Sequence, residues 1–319
     1  MTKERACRFF RGTFQIKISM VIPGMLLLVI SSFLFGLANP LAALLVDDTD
    51  ALIFSFHFLL MLTLIQLPFV LGRYKEVKKL KFKGELDLLV MSGFIGTFLY
   101  WCEFTSLQVG LPITHVTFLL LTVPAWTLLW EFLRGRGTKT NLNKWSIALI
   151  GSIILISPNE HGQFSLSYLL PIFTSLLTAI WLIYSKKAQE AGIHPIVCSF
   201  FNDLFSLIGV LIFIIMKGKG HALSLPVNIS NIFLYSAMIG VLPNILLLYG
   251  LRSTGIVAAS SVIMLEPVIS GALSYLIHND SLGLNFLLGS FCIVLSILPG
   301  QTIDYLRKIR MTYAIPSFK

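Results

Sequence analysis

Apolar residues in this chain run in stretches far longer than the strands or one-sided helices of a soluble domain. Ten of them follow one another, at about 20–46, 51–71, 86–107, from the turn at 110–112 to about 133, 145–157, 165–184, 195–216, 231–251, 255–277 and 284–299. Most approach the roughly 20 residues that a helix needs to cross a bilayer. Backbone groups inside hydrocarbon must be satisfied within their own segment, so the stretches are expected to be helices. The pattern predicts an all-α membrane protein of ten transmembrane helices.

The polar residues between the stretches are sorted by sign. Of the 24 Lys and Arg, 22 fall in the N-terminal segment and in every second connection: Lys3–Lys17, Arg73–Lys83, Arg134–Lys144, Lys186-Lys187, Arg252 and Arg307–Lys319. The alternate connections carry Asp47-Asp48-Thr49-Asp50, Gly110-Leu111-Pro112, Pro158-Asn159-Glu160 and His278-Asn279-Asp280, with Lys217 and Lys219 as the two exceptions. Lys and Arg near span ends are retained on the cytoplasmic side. Both termini are therefore expected in the cytoplasm, and the chain in the cell (inner) membrane. The basic run at the N-terminus leads into the first stretch with no small-residue cleavage site, which points to an uncleaved first span rather than a signal peptide.

Composition agrees with this reading. The mean hydropathy is +0.84, and 12% of residues are charged against about 25% in soluble domains. The net charge of +9 is accounted for by the juxtamembrane clusters, with anionic lipid as a partner; nucleic acid is not expected. Cys7, Cys102, Cys198 and Cys292 show no CxxC or His-paired spacing, and three of them sit inside apolar runs, which reads as small buried hydrophobes. No metal or other cofactor is expected.

The second half echoes the first at an offset of about 143 residues. Phe104-Thr-Ser-Leu-Gln-Val-Gly-Leu-Pro parallels Tyr249-Gly-Leu-Arg-Ser-Thr-Gly, and Pro124 in the fourth span meets Pro267 in the ninth. Five spans per repeat is an odd number, so the halves enter the membrane from opposite sides, as in many secondary transporters. The expected division is 1–157 for the N-terminal tail and first repeat, 158–303 for the second repeat, and 304–319 for a cytoplasmic tail.

These residues carry a resemblance. The chain resembles the drug/metabolite transporter superfamily, specifically its EamA-like ten-helix members. Phe35-Gly36 stands where that family often has Trp-Gly, Ala179-Ile180-Trp181 before Lys186-Lys187 resembles the opening span of its second repeat, and the mid-helix prolines fall at Pro124 and Pro267. His57 stands where the family often has Arg. The resemblance implies a 5+5 inverted-topology repeat and a small-molecule substrate.

Ionisable groups in the bilayer core cost roughly 2.5–3.5 kcal/mol on insertion scales, so each marks a partner or a wet cavity. Glu266 directly precedes Pro267, whose missing N–H leaves a free carbonyl nearby, and Ser270 and Ser274 continue its face. It is either a substrate or proton site, or an acid hydrogen-bonded to a neighbouring helix. Glu103 beside Tyr100 and Trp101 is a site acid or an interfacial one. Asp203, sharing a face with Ser199 and Ser206, binds substrate or pairs with a donor on another helix. Asn39 before Pro40 and Asn244 after Pro243 line a cavity or mark structural kinks. Trp181 faces the cavity or packs. His57 and His115 read as helix-packing histidines, and Glu131 as a surface charge.

No GxxxxGKS phosphate loop occurs, so energy must come from a proton or ion gradient or from exchange. Membrane acids without centrally placed basic residues favour an amphoteric or cationic metabolite, an amino acid or a relative, over a multiply anionic one. Aromatic faces near carboxylates also suit a sulfonium or ammonium group, which keeps S-adenosylmethionine uptake or exchange as an alternative. The contrasting class is a non-transporting membrane enzyme or scaffold; no HExxH, GxSxG or paired Asp/His signature supports an enzyme. Oligomeric state is not encoded in the pattern.

Overall fold

The computed structural model describes residues 24–46, 50–81, 84–120, 122–135, 139–156, 166–220, 229–254, 256–263, 265–278, 283–285, 287–292 and 295. Among these, every regular element is helical. Seven helices are long and apolar enough to cross a membrane: α1 (Gly24–Val46), α2 (Ala51–Leu71), α3 (Glu85–Gln108), α4 (Ile113–Leu133), α6 (Leu166–Glu190), α7 (Pro195–Met216) and α8 (Ile229–Ser253). Between α4 and α6 lies α5 (Lys139–Ile156). The expected ninth span, α9, forms two helical pieces, Ile256–Val262 and Leu265–His278. The helical residues at 284–285, 287–292 and 295 fall in the expected tenth span. The expected N-terminal and C-terminal tails, Asp47-Asp48, Pro158-Asn159-Glu160 and Asn279-Asp280 lie outside the described residues.

Helix starts and stops follow local chemistry. Asp50 caps α2, accepting hydrogen bonds from the amides of Leu52 at 3.0 Å and Ile53 at 3.4 Å, and so satisfies donors that a helix start leaves free. At the corresponding place 144 residues later, His194 caps α7 by accepting from the Ile196 amide at 3.3 Å. α3, α4, α6 and α7 are each followed by a glycine at positive φ, namely Gly110, Gly135, Gly192 and Gly218. That left-handed turn lets the chain reverse without a Cβ clash. α5 begins earlier than the apolar run suggests, because its first turn is the basic segment from Lys139.

Four of the helices are interrupted. α1 turns at Leu37, three residues before Pro40. α4 breaks between Leu120 and Val123, just before Pro124, and α9 breaks between Val262 and Leu265, just before Pro267. A proline inside a helix removes one i→i−4 bond and crowds the preceding turn, so each break falls on the N-terminal side of its proline. α8 widens into a π-helical segment, Ser236–Val241, immediately ahead of Pro243. Such π segments gather at functional sites.

The halves interlock antiparallel. Thr117 and Ser270 share a hydrogen bond of 3.0 Å between α4 and α9, and Thr127 and Ser260 share one of 3.2 Å. Adding 143 to Thr117 gives Ser260, and adding it to Thr127 gives Ser270. The two bonds are therefore exchanged by the repeat. α2 and α7 also run antiparallel, joined at one end by Asp50 and Lys219 and further along by Gln66 and Asp203. α3 packs on α6 and α7, while α8 packs on α1 and α2. Close approach needs small residues: a Cβ on Gly24 or Gly250 would collide across the α1–α8 contact, and one on Gly93 would meet Phe205 and the Asn202 carbonyl of α7.

Two apolar clusters fill the bundle, one toward each end. The first centres on Phe54, Phe58, Phe104 and Tyr235, and the second on Leu28, Leu89, Leu182 and Leu248. Basic residues collect at the second end. Val77 and Leu80, in the connection carrying Arg73, Lys75, Lys78, Lys79 and Lys81, pack against the cluster that holds Ile193, Val197 and Leu251. Arg134 and Lys187 both lie over the Trp130 ring. Lys186 Nζ donates to the carbonyls of Leu251 at 2.7 Å, Thr254 at 2.9 Å and Arg252 at 3.3 Å. The two lysines that break the alternation sit at the first end, each with a partner: Lys219 pairs with Asp50, and Lys217 lies 4.8 Å from the Trp101 ring.

Candidate functional site

Between the two clusters lies a cavity of about 130 Å³ lined from α1, α2, α3, α4, α6, α8 and α9. The interruptions of the helices meet at its wall. Pro124 and Pro267 both line it, as do Gly240 of the π-helical segment and Ala38 next to the α1 turn. Repeat-related positions therefore share the lining of one space: Leu120 and Ile263, Val123 and Glu266, Pro124 and Pro267, each 143 apart. The backbone symmetry is not matched by chemistry. Glu266 faces from one half where the other offers Val123, and Trp181 stands opposite Ala38 at the same offset.

Aromatic rings from Phe35, Phe58, Tyr100, Phe104, Trp181 and Tyr235 line part of the wall. Phe58 meets Tyr100 and Phe104 edge-on at 5.7 and 5.6 Å between ring centres, an arrangement aromatic quadrupoles favour. Several polar groups on the wall are already engaged. Tyr235 donates to the Ala38 carbonyl at 3.2 Å, Thr174 and Thr178 donate to carbonyls one turn back, and Asn244 Nδ2 donates to Ser199 Oγ at 3.2 Å. Two carboxyl groups remain. Among the described residues, neither Glu103 nor Glu266 takes a hydrogen bond or an ion pair through its side chain, and the cavity lining holds no Lys, Arg or His. The Asn244 Oδ1 is also buried without a partner.

Four of the sequence-derived candidates thus come together in one cavity: Glu103, Trp181, Asn244 and Glu266, with Pro124 and Pro267 at its breaks. Asn39 and Asp203 are not brought to that lining. Asn39 is buried in α1 with its Nδ2 unpartnered. Asp203 is buried on α7, where Oδ2 accepts a 2.6 Å hydrogen bond from Gln66 Nε2. Sequence reasoning passed over Gln66 altogether, although an amide in the middle of the otherwise apolar α2 is the same kind of signal that marked the acids. His57 Nδ1 bonds the Ile53 carbonyl and His115 Nδ1 bonds the Tyr168 hydroxyl, both at 2.9 Å, as packing histidines would. No group of three His, Cys, Asp or Glu with metal-holding geometry occurs among the described residues.

A multi-pass helical membrane protein with a cavity between two repeats is the class that fold and site define. The chain belongs to the EamA-like transporter family, which it matches over residues 22–157 and 165–298. It is similar to an "Uncharacterized transporter" of Clostridium kluyveri, 26% identical over 261 residues covering 76% of this chain and 79% of that protein. A solved structure described as "Crystal structure of protein" shares the fold, with a TM-score of 0.58 and 14% identity over 92% of this chain and 98% of the other. The family places the protein within the drug/metabolite transporter superfamily, as the prolines and the repeat suggested.

Proposed function

We propose that this protein is a secondary transporter that carries a small cationic or amphoteric metabolite, an amino acid or a relative, by alternating access between two inverted five-helix halves. The observation that carries the reading is the pair of carboxyl groups, Glu103 and Glu266, in a cavity whose lining, among the described residues, includes six aromatic rings and no basic side chain. Unpaired acids at membrane depth attract positive charge, and the surrounding rings add cation–π attraction for an ammonium or sulfonium head. Asn244, with its free Oδ1, supplies an acceptor beside them. The ten-span topology with both termini in the cytoplasm, the repeat division at about residue 157 and the cell inner membrane belong to the same proposal. The pairing of Lys219 with Asp50 supports it, because it neutralises one of the two lysines that depart from the charge rule. No catalytic role is assigned.

Purified protein screened by thermal shift against amino acids, polyamines, nucleosides and S-adenosylmethionine is expected to respond to a cationic or amphoteric compound. In liposomes that compound should show saturable exchange. Glu266→Gln should weaken its apparent affinity at least about tenfold, the equivalent of about 1.4 kcal/mol, and Glu103→Gln should act in the same direction. Ohmic flux would indicate a channel, and no flux of any of these compounds an enzyme or scaffold. Undiminished affinity in both variants would remove the carboxyl pair from substrate binding.

A further inference from the structure

Asp203 lies behind the cavity wall rather than on it, and its surroundings suit a proton better than a metabolite. It is 1% exposed, and Gln66 beside it is fully buried. Their hydrogen bond, Gln66 Nε2 to Asp203 Oδ2 at 2.6 Å, joins α2 and α7, which are repeat partners. The Gln66 Oε1 is buried with no partner. A side-chain amide can serve either protonation state of an acid. Its NH₂ donates to a carboxylate, and after a half-turn its oxygen accepts from a carboxylic O–H. The orphaned Oε1 is the acceptor that the neutral acid needs.

The ionisable groups on the elements around Asp203 do not compete for it. They include Tyr100 and Glu103 on α3, Tyr235 on α8, His57 on α2, Cys198 on α7 itself and Lys186 on α6. Lys186 is committed to three carbonyls at the end of the bundle, and among the described residues none of the six forms an ion pair or hydrogen bond with Asp203. A polar connection leads to the cavity. Ser199, one turn before Asp203 on α7, accepts the amide of Asn244, which lines the cavity. One hydroxyl and one amide thus join the cavity wall to α7.

We propose that Asp203 with Gln66 is the coupling-proton site of this transporter, separate from the substrate cavity, the proton being taken up on a carboxylate oxygen as the Gln66 amide turns from donor to acceptor. The inference rests on the transporter reading for its purpose, but not for its test. Infrared difference spectra of the full chain in lipid, recorded between acidic and alkaline pH, are expected to show a protonated-carboxyl carbonyl band that appears on acidification. Labelling aspartate carboxyl carbons with ¹³C should shift that band in the unsubstituted chain, whereas labelling glutamate should not. Asp203→Asn should abolish it, Gln66→Leu should move it, and Glu103→Gln with Glu266→Gln should leave it in place. A carboxyl band insensitive to aspartate labelling, or constant across the pH range, would overturn the proposal. Failure of every tested compound to be transported would sink the substrate reading while leaving this band intact.

Discussion

His194 caps its helix only while Nδ1 is unprotonated, and Asp50, the side-chain cap of the repeat-related helix, caps and pairs with Lys219 most strongly as a carboxylate. Partial burial disfavours charge on Asp50, but the hydrogen bond from Lys219, the Leu52 amide and the Lys219 charge outweigh it and hold the carboxyl below its ordinary value. Burial, with Arg73 and Arg252 nearby, holds His194 below its ordinary value against the pull of Glu76. Because the Ile196 N–H must find an acceptor at Nδ1, the ring proton sits on Nε2 and donates to Tyr249 at 3.2 Å. For both groups the unfolded chain binds the proton more readily, so stability rises with pH across their titration. The contribution is complete above the unfolded values, about 6.5 for His and about 3.9 for Asp, and is lost as pH falls below them. Thermal unfolding in detergent should show a midpoint that drops in two stages on acidification. His194→Asn should flatten the upper stage and Asp50→Asn the lower; parallel curves for all three proteins would dismiss the account. At this scale the sequence revealed those site residues that contrast with their surroundings. Glu103, Glu266 and Asn244 stand out in apolar stretches. Phe58 does not, since with 25 phenylalanines in the chain nothing in the pattern separates a cavity ring from a lipid-facing one.

Helices meet here through short hydroxyl contacts as much as through apolar packing. Thr117–Ser270 and Thr127–Ser260 tie α4 to α9 on either side of their proline breaks. Interhelical bonds in membranes average about 0.6 kcal/mol, because the unfolded segments also find partners. Thr117→Val and Thr127→Val should each destabilise by about that amount. The double variant should lose their sum, since distant sites without shared partners add. Double-mutant cycles against Ser270→Ala and Ser260→Ala would measure the coupling, and a coupling of zero in both would mean that packing alone holds the pair. Gly36→Leu is a harsher test of the same region, because any Cβ there meets Ile269 and the Glu266 carbonyl. Most spans were legible from length and hydropathy, which set the number of residues that must sit in hydrocarbon. The interruptions were less so. Prolines marked where helices would weaken, but the gaps opened two or more residues earlier, and the π segment at Ser236–Val241 left no mark beyond Pro243. The start of α5 was hidden because basic residues read as loop, although Lys is a good helix former.

At the scale of the whole molecule, charge and symmetry make the same demand. The repeat places equivalent helices antiparallel, so connections 144 residues apart must emerge on opposite faces. The connection before α3 is followed in the second half by the one before α8, and Lys217 and Lys219 are the only cations of the latter. Their partners, Trp101 and Asp50, reduce the penalty of leaving them on the less basic side. At the other face Arg73 pairs with Glu76 at 2.8 Å, while among the described residues Lys75, Lys78, Lys79, Lys81, Lys186, Lys187 and Arg252 form no ion pair. Turning the molecule over would carry that whole cluster outward against the retention of Lys and Arg. Single cysteines placed at Lys78, Ala191, Val109 and Met216, in a chain whose four native cysteines are replaced by alanine, read the result directly. An impermeant thiol reagent added to intact cells should label the Val109 and Met216 positions, while Lys78 and Ala191 should react only after permeabilisation. If Val109 and Ala191 reacted alike, the two halves could not be inverted across the membrane, and a cavity shared between them could not open to each side in turn.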